Sequence, residues 1–177
     1  FDIRPNQAYD YIDFEPLDNI VGERDLSLIY HGSLITREPA SRDTLQHLIS
    51  ETHRPVFVDV NLRDPWWDAT SVAGMLKAAR WAKLNDGELA TVVAGTAQTD
   101  DGLKRAASEA LARFELDAMV VTRGAEGAFI TSAEGAPTIW ASMVTMRRHL
   151  ASMASGIGGR YFQTNRPVSP FRQYTQP

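Results

Sequence analysis

The sequence predicts an α/β fold, in which a mostly parallel β-sheet is flanked by helices in three layers. Apolar runs typical of buried strands alternate with segments whose apolar residues repeat at helical spacing. Polar or glycine residues follow three of these runs directly, within residues 55–67, 81–89 and 120–130. An open α/β sheet binds its ligands at this position, in the crevice beyond the carboxyl ends of the strands. A length of 177 residues with 44% hydrophobic residues suits one domain with a real core.

The elements follow in order along the chain. Residues 26–31 and 56–60 predict two buried strands, and residues 117–124 and 127–132 predict two more, separated by a glycine turn. Apolar periodicity predicts helices over 41–52, with Ser41 as the N-cap, and over 69–82. The third helix, over 99–114, has Thr99 or Asp100 as its cap. The regular pattern fades after Trp140, where one more amphipathic helix could form before the GIGG sequence at 156–159.

Composition excludes several classes of protein. No apolar run approaches the roughly 20 residues of a membrane helix, so we expect no membrane association. The absence of cysteine excludes disulfides and fits a reducing, cytoplasmic compartment. The four histidines show no metal-ligand spacing, and no GxxxxGK[ST] sequence occurs. Because residues 1–10 do not resemble a secretion signal, we interpret the start at Phe1 as the result of truncation or processing.

Charge is divided unevenly along the chain. Residues 135–177 contain five arginines, no lysine and no acid, whereas the preceding residues carry a net charge of −9. The arginines are scattered rather than clustered, so we expect no nucleic-acid partner. We interpret 141–177 as a divergent tail that is native, rearranged or read out of frame, and 1–140 as the α/β domain.

The DVNLR sequence at 59–63 ends the second strand with polar residues. Asp59 and Asn61 either cap the next turn or, with Arg63, face the ligand crevice. The guanidinium fork of Arg63 suits phosphate or sugar oxygens. Trp66 and Trp67 are expected to pack beneath this segment, with stacking on a sugar as the alternative.

Two further segments allow both a structural and a functional interpretation. In KLNDGEL, Asn85 and Glu88 have the spacing of a capping box at the start of a helix. In VVTRGAEGAFI, Gly124 and Gly127 predict either a hairpin turn or a close approach of the backbone to phosphates or an adenine ring.

Taken in order, these segments resemble the PfkB/ribokinase family of sugar kinases, and most of all its fructokinase-like branch. The resemblance covers residues 8–140 and includes HGSLITREPASRDTL at 31–45. It implies a ribokinase-like fold, ATP and Mg²⁺ as cofactors, and fructose or a related sugar or sugar acid as the substrate. It also implies three groups of site residues: Gly32, Asn61 and Arg63 for substrate and phosphate; Asn85 and Glu88 for Mg²⁺, often through water; and Thr122, Gly124 and Gly127 for the nucleotide.

Two parts of the family pattern are missing from the sequence. The glycine-rich sugar-binding strand and most of the lid should precede Phe1, and a GAGD-type turn with the catalytic aspartate should follow Trp140. No Asp or Glu occurs after Glu134, so no catalytic residue is assigned, although Gly156, Gly158 and Gly159 could imitate the turn. We therefore expect weak or absent kinase activity. The alternatives are a non-catalytic nucleotide-binding remnant and an α/β interaction module, and a dimer through the lid is doubtful.

Overall fold

A six-stranded sheet organises the computed structural model, which describes residues 3–15, 21, 26–95 and 99–133, and the backbone of 139–141. The strands lie side by side in chain order. The first four pair in parallel, and the fifth and sixth each pair antiparallel to the preceding strand. Five strands therefore point the same way, which confirms the mostly parallel α/β fold. The strands are β1 (Ile29–Gly32), β2 (Val56–Asp59), β3 (Trp81–Asn85), β4 (Ala118–Thr122), β5 (Ala128–Ser132) and β6 (Ile139–Ala141).

Four helices connect the parallel strands, and the longest follows its predicted pattern closely. They are α1 (Pro39–Thr52), α2 (Ala69–Ala78), α3 (Asp86–Val93) and α4 (Asp100–Phe114). The predicted cap of α4 is confirmed, because the Thr99 hydroxyl accepts a hydrogen bond from the Gly102 amide at 3.1 Å. All the residues of its predicted apolar stripe are buried: Leu103, Ala106, Ala107, Ala110, Leu111 and Phe114.

The predicted helix over 69–82 is too long. Helix α2 ends at Ala78, and Ala82 lies fully buried in the middle of β3. Helical spacing of small apolar residues also fits a strand, and here the strand is formed because β2 and β4 lie on either side. The Arg80 amide already donates to the Val56 carbonyl at 2.9 Å, at the point where this pairing begins.

The predicted N-cap of the first helix is also wrong. Helix α1 begins at Pro39, with Glu38 in the N-cap position, and Ser41 lies inside its first turn. Proline is favoured there because its missing amide hydrogen would have no partner in the first turn. The buried Ser41 hydroxyl instead accepts the Ile12 amide at 2.8 Å. This hydrogen bond fixes the N-terminal segment, residues 3–15, against α1.

One face of the sheet forms the main core. Side chains from all four helices pack in a single cluster against it, including Leu45 of α1, Leu76 of α2, Leu89 of α3 and Leu111 of α4. On the opposite face of β1–β3, Tyr30 is exposed and Phe57, Trp81 and Lys83 are half-buried. The second helical layer expected from the sequence is not among the described residues.

A buried ion pair holds the N-terminal segment to the connection between β1 and α1. The Arg37 guanidinium donates from Nε and Nη2 to the two carboxylate oxygens of Asp10, at 2.6 and 2.5 Å, and both side chains are almost fully buried. Its Cζ atom lies over the rings of Tyr9 and Trp66, 5.1 and 4.5 Å from their centres. The hydrogen bonds from Arg37 hold the pKa of Asp10 below its ordinary value, against the opposing effect of burial.

The remaining expectations concern membranes and the tail. No helix in the described part of the chain is both long and apolar enough to cross a membrane. All the described residues lie within the compact unit Phe1–Ala141. The predicted helix and glycine break after Trp140, and the arginine-containing tail, fall outside the described residues.

We predict that Asp10→Asn lowers the free energy of unfolding by about 3–5 kcal/mol at pH 7, because it leaves the buried Arg37 charge without its counter-ion. The folded-state pKa of Asp10 is depressed, so its contribution is present above the unfolded pKa of about 3.9 and is lost as pH falls through the folded pKa. Urea unfolding measured from pH 7 to pH 2 should therefore show that the free energies of unfolding of wild type and Asp10→Asn converge at low pH. The exposed Asp13→Asn is the matched control. A difference between Asp10→Asn and wild type that does not change with pH would contradict the prediction.

Candidate functional site

The carboxyl ends of β1–β4 form one edge of the sheet, and all eight residues proposed from the sequence lie along it. Gly32, Asn85 and Thr122 are the last residues of β1, β3 and β4. Asn61 and Arg63 follow β2 within four residues, and Glu88 lies in the first turn of α3. Gly124 and Gly127 belong to the turn between β4 and β5. Parallel pairing thus places residues that are far apart in the sequence at a single edge, where they form a row across the ends of the four strands.

The ends of β1 and β2 are joined through Ser33, which the sequence analysis did not single out. Its buried hydroxyl donates to the Asn61 carbonyl at 2.8 Å. Gly32 lies just before it, in register with Asp59. A side chain at Gly32 would meet the Asp59 carbonyl at an ordinary 3.6 Å, so packing alone does not require glycine here.

Asn61 and Arg63 open onto a cavity of about 360 Å³ at this end of the row. Both residues are exposed, and the opposite wall comes from the N-terminal segment. The residues that line this space are Ile3, Arg4, Gln7, Tyr9, Leu34, Asn61 and Arg63. Asn61 and Arg63 thus border a cavity, and the interpretation in which they face a ligand stays a prediction.

Asp59, the last residue of β2, contributes to structure. Its carboxylate accepts the Tyr30 hydroxyl at 2.8 Å and the Lys83 ammonium at 2.6 Å on the less buried face of the sheet. The strand is therefore not packed against apolar side chains on both faces, and the desolvation cost expected for Asp59 is met by two partners. Neither partner was identifiable from the sequence, because both come from neighbouring strands.

Asn85 and Glu88 form the capping box that their spacing predicts. The Asn85 side chain accepts the Glu88 amide, and the Glu88 carboxylate accepts the Asn85 amide, both at 2.8 Å. The second carboxylate oxygen of Glu88 accepts the Leu62 amide at 3.0 Å. Glu88 is 92% buried, so it ties the loop after β2 to the start of α3. Proximity in sequence predicted the box, but not the contact with Leu62.

The same two residues fit a magnesium ion held through water. Each carboxylate oxygen of Glu88 uses one acceptor position for a backbone amide and keeps a second lone pair. Across the residues the structure describes, no three acids or histidines come together to hold a metal. Mg²⁺ commonly keeps several waters and takes one or two protein oxygens, which suits this sparse arrangement.

The turn after β4 closes the other end of the row. Thr122 lies beside Asn85 in the sheet, and its hydroxyl donates to the Leu84 carbonyl at 3.4 Å. Gly124 and Gly127 both have positive φ, at 53° and 89°. Among the described residues, and apart from its two neighbours in the chain, none has an atom within 4 Å of the place where a Cβ at Gly124 would stand. The turn is a hairpin, as one interpretation proposed, and it also leaves open space at Gly124.

Arg123 holds this turn in place and was missed from the sequence. Its guanidinium pairs with Asp100 at 2.8 Å, in the first turn of α4, and also with Glu126 in the turn itself. Its side chain is only 14% exposed. The contact with Asp100 spans 23 residues, so no local pattern could have predicted it.

Trp66 and Trp67 pack as structural residues, as expected. Trp67 packs against the core and donates from Nε1 to Asp64 at 2.8 Å. Trp66 lies against the Arg37 guanidinium. The structure therefore places Gly32, Asn61, Glu88, Asn85 and Thr122 in one row across the ends of β1–β4. Arg63 lies in the loop after β2, and the two turn glycines follow β4.

Comparison with known protein families gives a match over most of the chain. The model of the pfkB family carbohydrate kinases matches residues 10–142. A search of curated protein sequences finds no significant match.

Solved structures of several sugar kinases share the fold. Fructokinase from Vibrio cholerae O395, in a form with fructose, ADP and calcium ion bound, is 23% identical, with a TM-score of 0.53 over 65% of this chain and 37% of its own. Phosphofructokinase-2 from Escherichia coli, in complex with substrates and products, is 22% identical, with a TM-score of 0.55 over 73% of this chain and 41% of its own. Aminoimidazole riboside kinase from Salmonella enterica, complexed with aminoimidazole riboside and an ATP analog, is 19% identical, with a TM-score of 0.58 over 79% of this chain and 46% of its own.

These likenesses establish the fold, and the chain spans less than half the length of each of these three kinases. The family model covers three-quarters of the chain, including every strand of the described sheet. The chain belongs to the pfkB family of carbohydrate kinases.

Proposed function

We propose that this chain is by family an ATP-dependent sugar kinase, of the kind that transfers a phosphoryl group to a hydroxyl of fructose or a related sugar or sugar acid, and that its own activity is weak or absent. The observation that carries the proposal is the continuous row of contacts across four strand ends, from Ser33 to Thr122. Phosphoryl transfer depends mostly on positioning and electrostatics, and such a row supplies both.

The two ends of the row take different roles in this proposal. Asn61 and Arg63 bind the sugar in the cavity of about 360 Å³, which we call the acceptor cavity, and Gly32 at the end of β1 contributes to substrate binding. Thr122, Gly124 and Gly127 contact the nucleotide, where the open space at Gly124 admits a ligand. The positive end of the α3 dipole favours phosphate between these ends, although the Gly87 and Glu88 amides already donate to Asp86 and Asn85.

Asn85 and Glu88 would hold Mg²⁺ through water in the middle of the row. When bound with ATP, the ion neutralises charge on the phosphates that the reaction transfers. Glu88 also keeps Leu62, and with it Asn61 and Arg63, at a fixed distance from α3. A cytoplasmic location and a small-molecule sugar partner complete the proposal, in line with the lack of cysteine.

A second candidate is a non-catalytic nucleotide-binding remnant, favoured by the absence of any acid after Glu134. In this family the proton of the sugar hydroxyl passes to an aspartate from that stretch. The two candidates share the nucleotide site and differ only in turnover, so binding and activity are tested separately.

We expect saturating MgATP to raise the melting temperature of the chain. Ligand at a hundred times its dissociation constant adds about 2.7 kcal/mol, which corresponds to a shift of about 5–11 °C at this size. Gly124→Asn should abolish the shift without lowering the ligand-free melting temperature, because asparagine tolerates positive φ and its side chain enters open space. Ala94→Asn, at an exposed residue with φ of 53°, is the matched control. An unchanged shift in Gly124→Asn would place the nucleotide elsewhere.

Substitution of Glu88 by glutamine should separate its two roles. The amide group cannot accept both backbone hydrogen bonds, so we expect the ligand-free protein to lose about 1–3 kcal/mol of stability. We also expect the shift with MgATP to fall to that with ATP and EDTA, because the charge that attracts the ion is gone. Thermal melts with and without Mg²⁺ measure both effects, and the exposed Asp86→Asn is the control. Retention of the full Mg²⁺-dependent shift would leave Glu88 with a purely structural role.

Sugar phosphorylation by this 177-residue chain should stay close to the rate without enzyme. Loss of a general base alone costs about 10²–10⁴ in rate. A radiolabelled-ATP assay with fructose measures this directly, with an intact fructokinase as the positive control. Turnover well above background would overturn the expectation of inactivity and favour the kinase over the remnant.

A further inference from the structure

Two arginines and no acid line the acceptor cavity. Arg4 and Arg63 are both exposed and line the cavity from two separate segments, the N-terminal residues and the loop after β2. Within the described part of the chain, neither guanidinium forms an ion pair with a carboxylate. The remaining lining side chains are apolar or uncharged. The cavity therefore presents two uncompensated positive charges, which attract an anion.

Both arginines project from backbone that is held in place. The Arg4 carbonyl accepts a hydrogen bond at 2.8 Å from Arg37, the arginine of the buried ion pair. On the other wall, the Arg63 carbonyl accepts the Trp66 amide at 2.7 Å, and the preceding Leu62 amide is fixed by Glu88. Because the backbone on each side is already ordered, binding loses less entropy than it would between two free loops.

We propose that the acceptor carries an anionic substituent, a phosphate or a carboxylate, which Arg4 and Arg63 hold together. The inference rests on the proposed function, because it names the class of sugar bound in the acceptor cavity. Guanidinium groups bind either oxyanion through paired, charge-assisted hydrogen bonds. A neutral sugar offers only uncharged oxygens, which do not neutralise the charges of two guanidinium groups. Arg37 and Asp10 are positioning residues in this arrangement, since they act through the backbone of Arg4.

Isothermal titration with four probes tests the inference: fructose, fructose 6-phosphate, gluconate and inorganic phosphate. We expect at least one anionic sugar to bind tenfold or more tightly than fructose, and the difference to shrink at high salt because the arginines are exposed. Comparison of fructose 6-phosphate with gluconate distinguishes phosphate from carboxylate. Inorganic phosphate alone should bind more weakly than the preferred anionic sugar.

Substitutions assign the effect to the two arginines. Arg4→Gln should weaken the anionic sugar by about 10- to 100-fold and leave fructose within about threefold, whereas Arg63→Gln should weaken both, the anionic sugar by the larger factor. Arg4→Gln keeps the carbonyl that Arg37 contacts, so it should melt at the wild-type temperature. Arg105→Gln removes an exposed charge from α4, which contributes no residue to the cavity, and should change neither affinity.

Three results would overturn the inference. These are equal affinity for fructose and both anionic sugars, equal loss of fructose and anion affinity in the variants, and inorganic phosphate binding as tightly as the anionic sugars. The nucleotide melt separates this failure from that of the proposed function. If MgATP shifts the melt while no anionic preference is found, only the inference about the acceptor fails.

Discussion

Parallel pairing of β1 to β4 is the constraint on which the rest of this structure depends. Parallel strands in chain order place all their carboxyl ends at one edge, so each connecting segment begins there. Polar residues at the four strand ends each contact a neighbouring connection or strand. They are Ser33, Asn61, Glu88 and Thr122. The row is therefore a product of topology, and its polar side chains add hydrogen bonds to an arrangement that the sheet has already fixed.

Glu88 shows how one carboxylate can serve structure and ligand binding together. Its two backbone hydrogen bonds satisfy the first turn of α3 and anchor the loop after β2. A buried carboxylate that is held this firmly loses no rotamer freedom when a cation or phosphate approaches through water. The structural and functional interpretations of this capping box are therefore compatible. Burial and two hydrogen bonds fix the position of the Glu88 carboxylate between the two ends of the row.

The N-terminal segment is held by burial of charge. Arg37 and Asp10 form an ion pair in the interior, and the Arg37 guanidinium also contacts two aromatic rings; such a buried pair is costly to break once formed. Ser41 and Thr44 add two hydrogen bonds to the backbone of Ile12. These contacts make a short, irregular segment into one wall of the acceptor cavity, and they connect the stability of that segment to the shape of the cavity.

The sequence by itself determined the alternation of strands and helices, the stripe and cap of α4, and the capping box of Asn85 and Glu88. Each depends on residues within a few positions of one another, where period and cap chemistry decide the structure. It also indicated the polar residues after each strand. The resemblance to the sugar kinases then assigned these residues to substrate, metal and nucleotide. Only the tertiary structure decided that Ala82 belongs to a strand, that Ser41 binds Ile12, and that Arg37 finds Asp10. Those outcomes depend on partners 24 or more residues away, and pairing across such distances is set by how the strands and segments pack together.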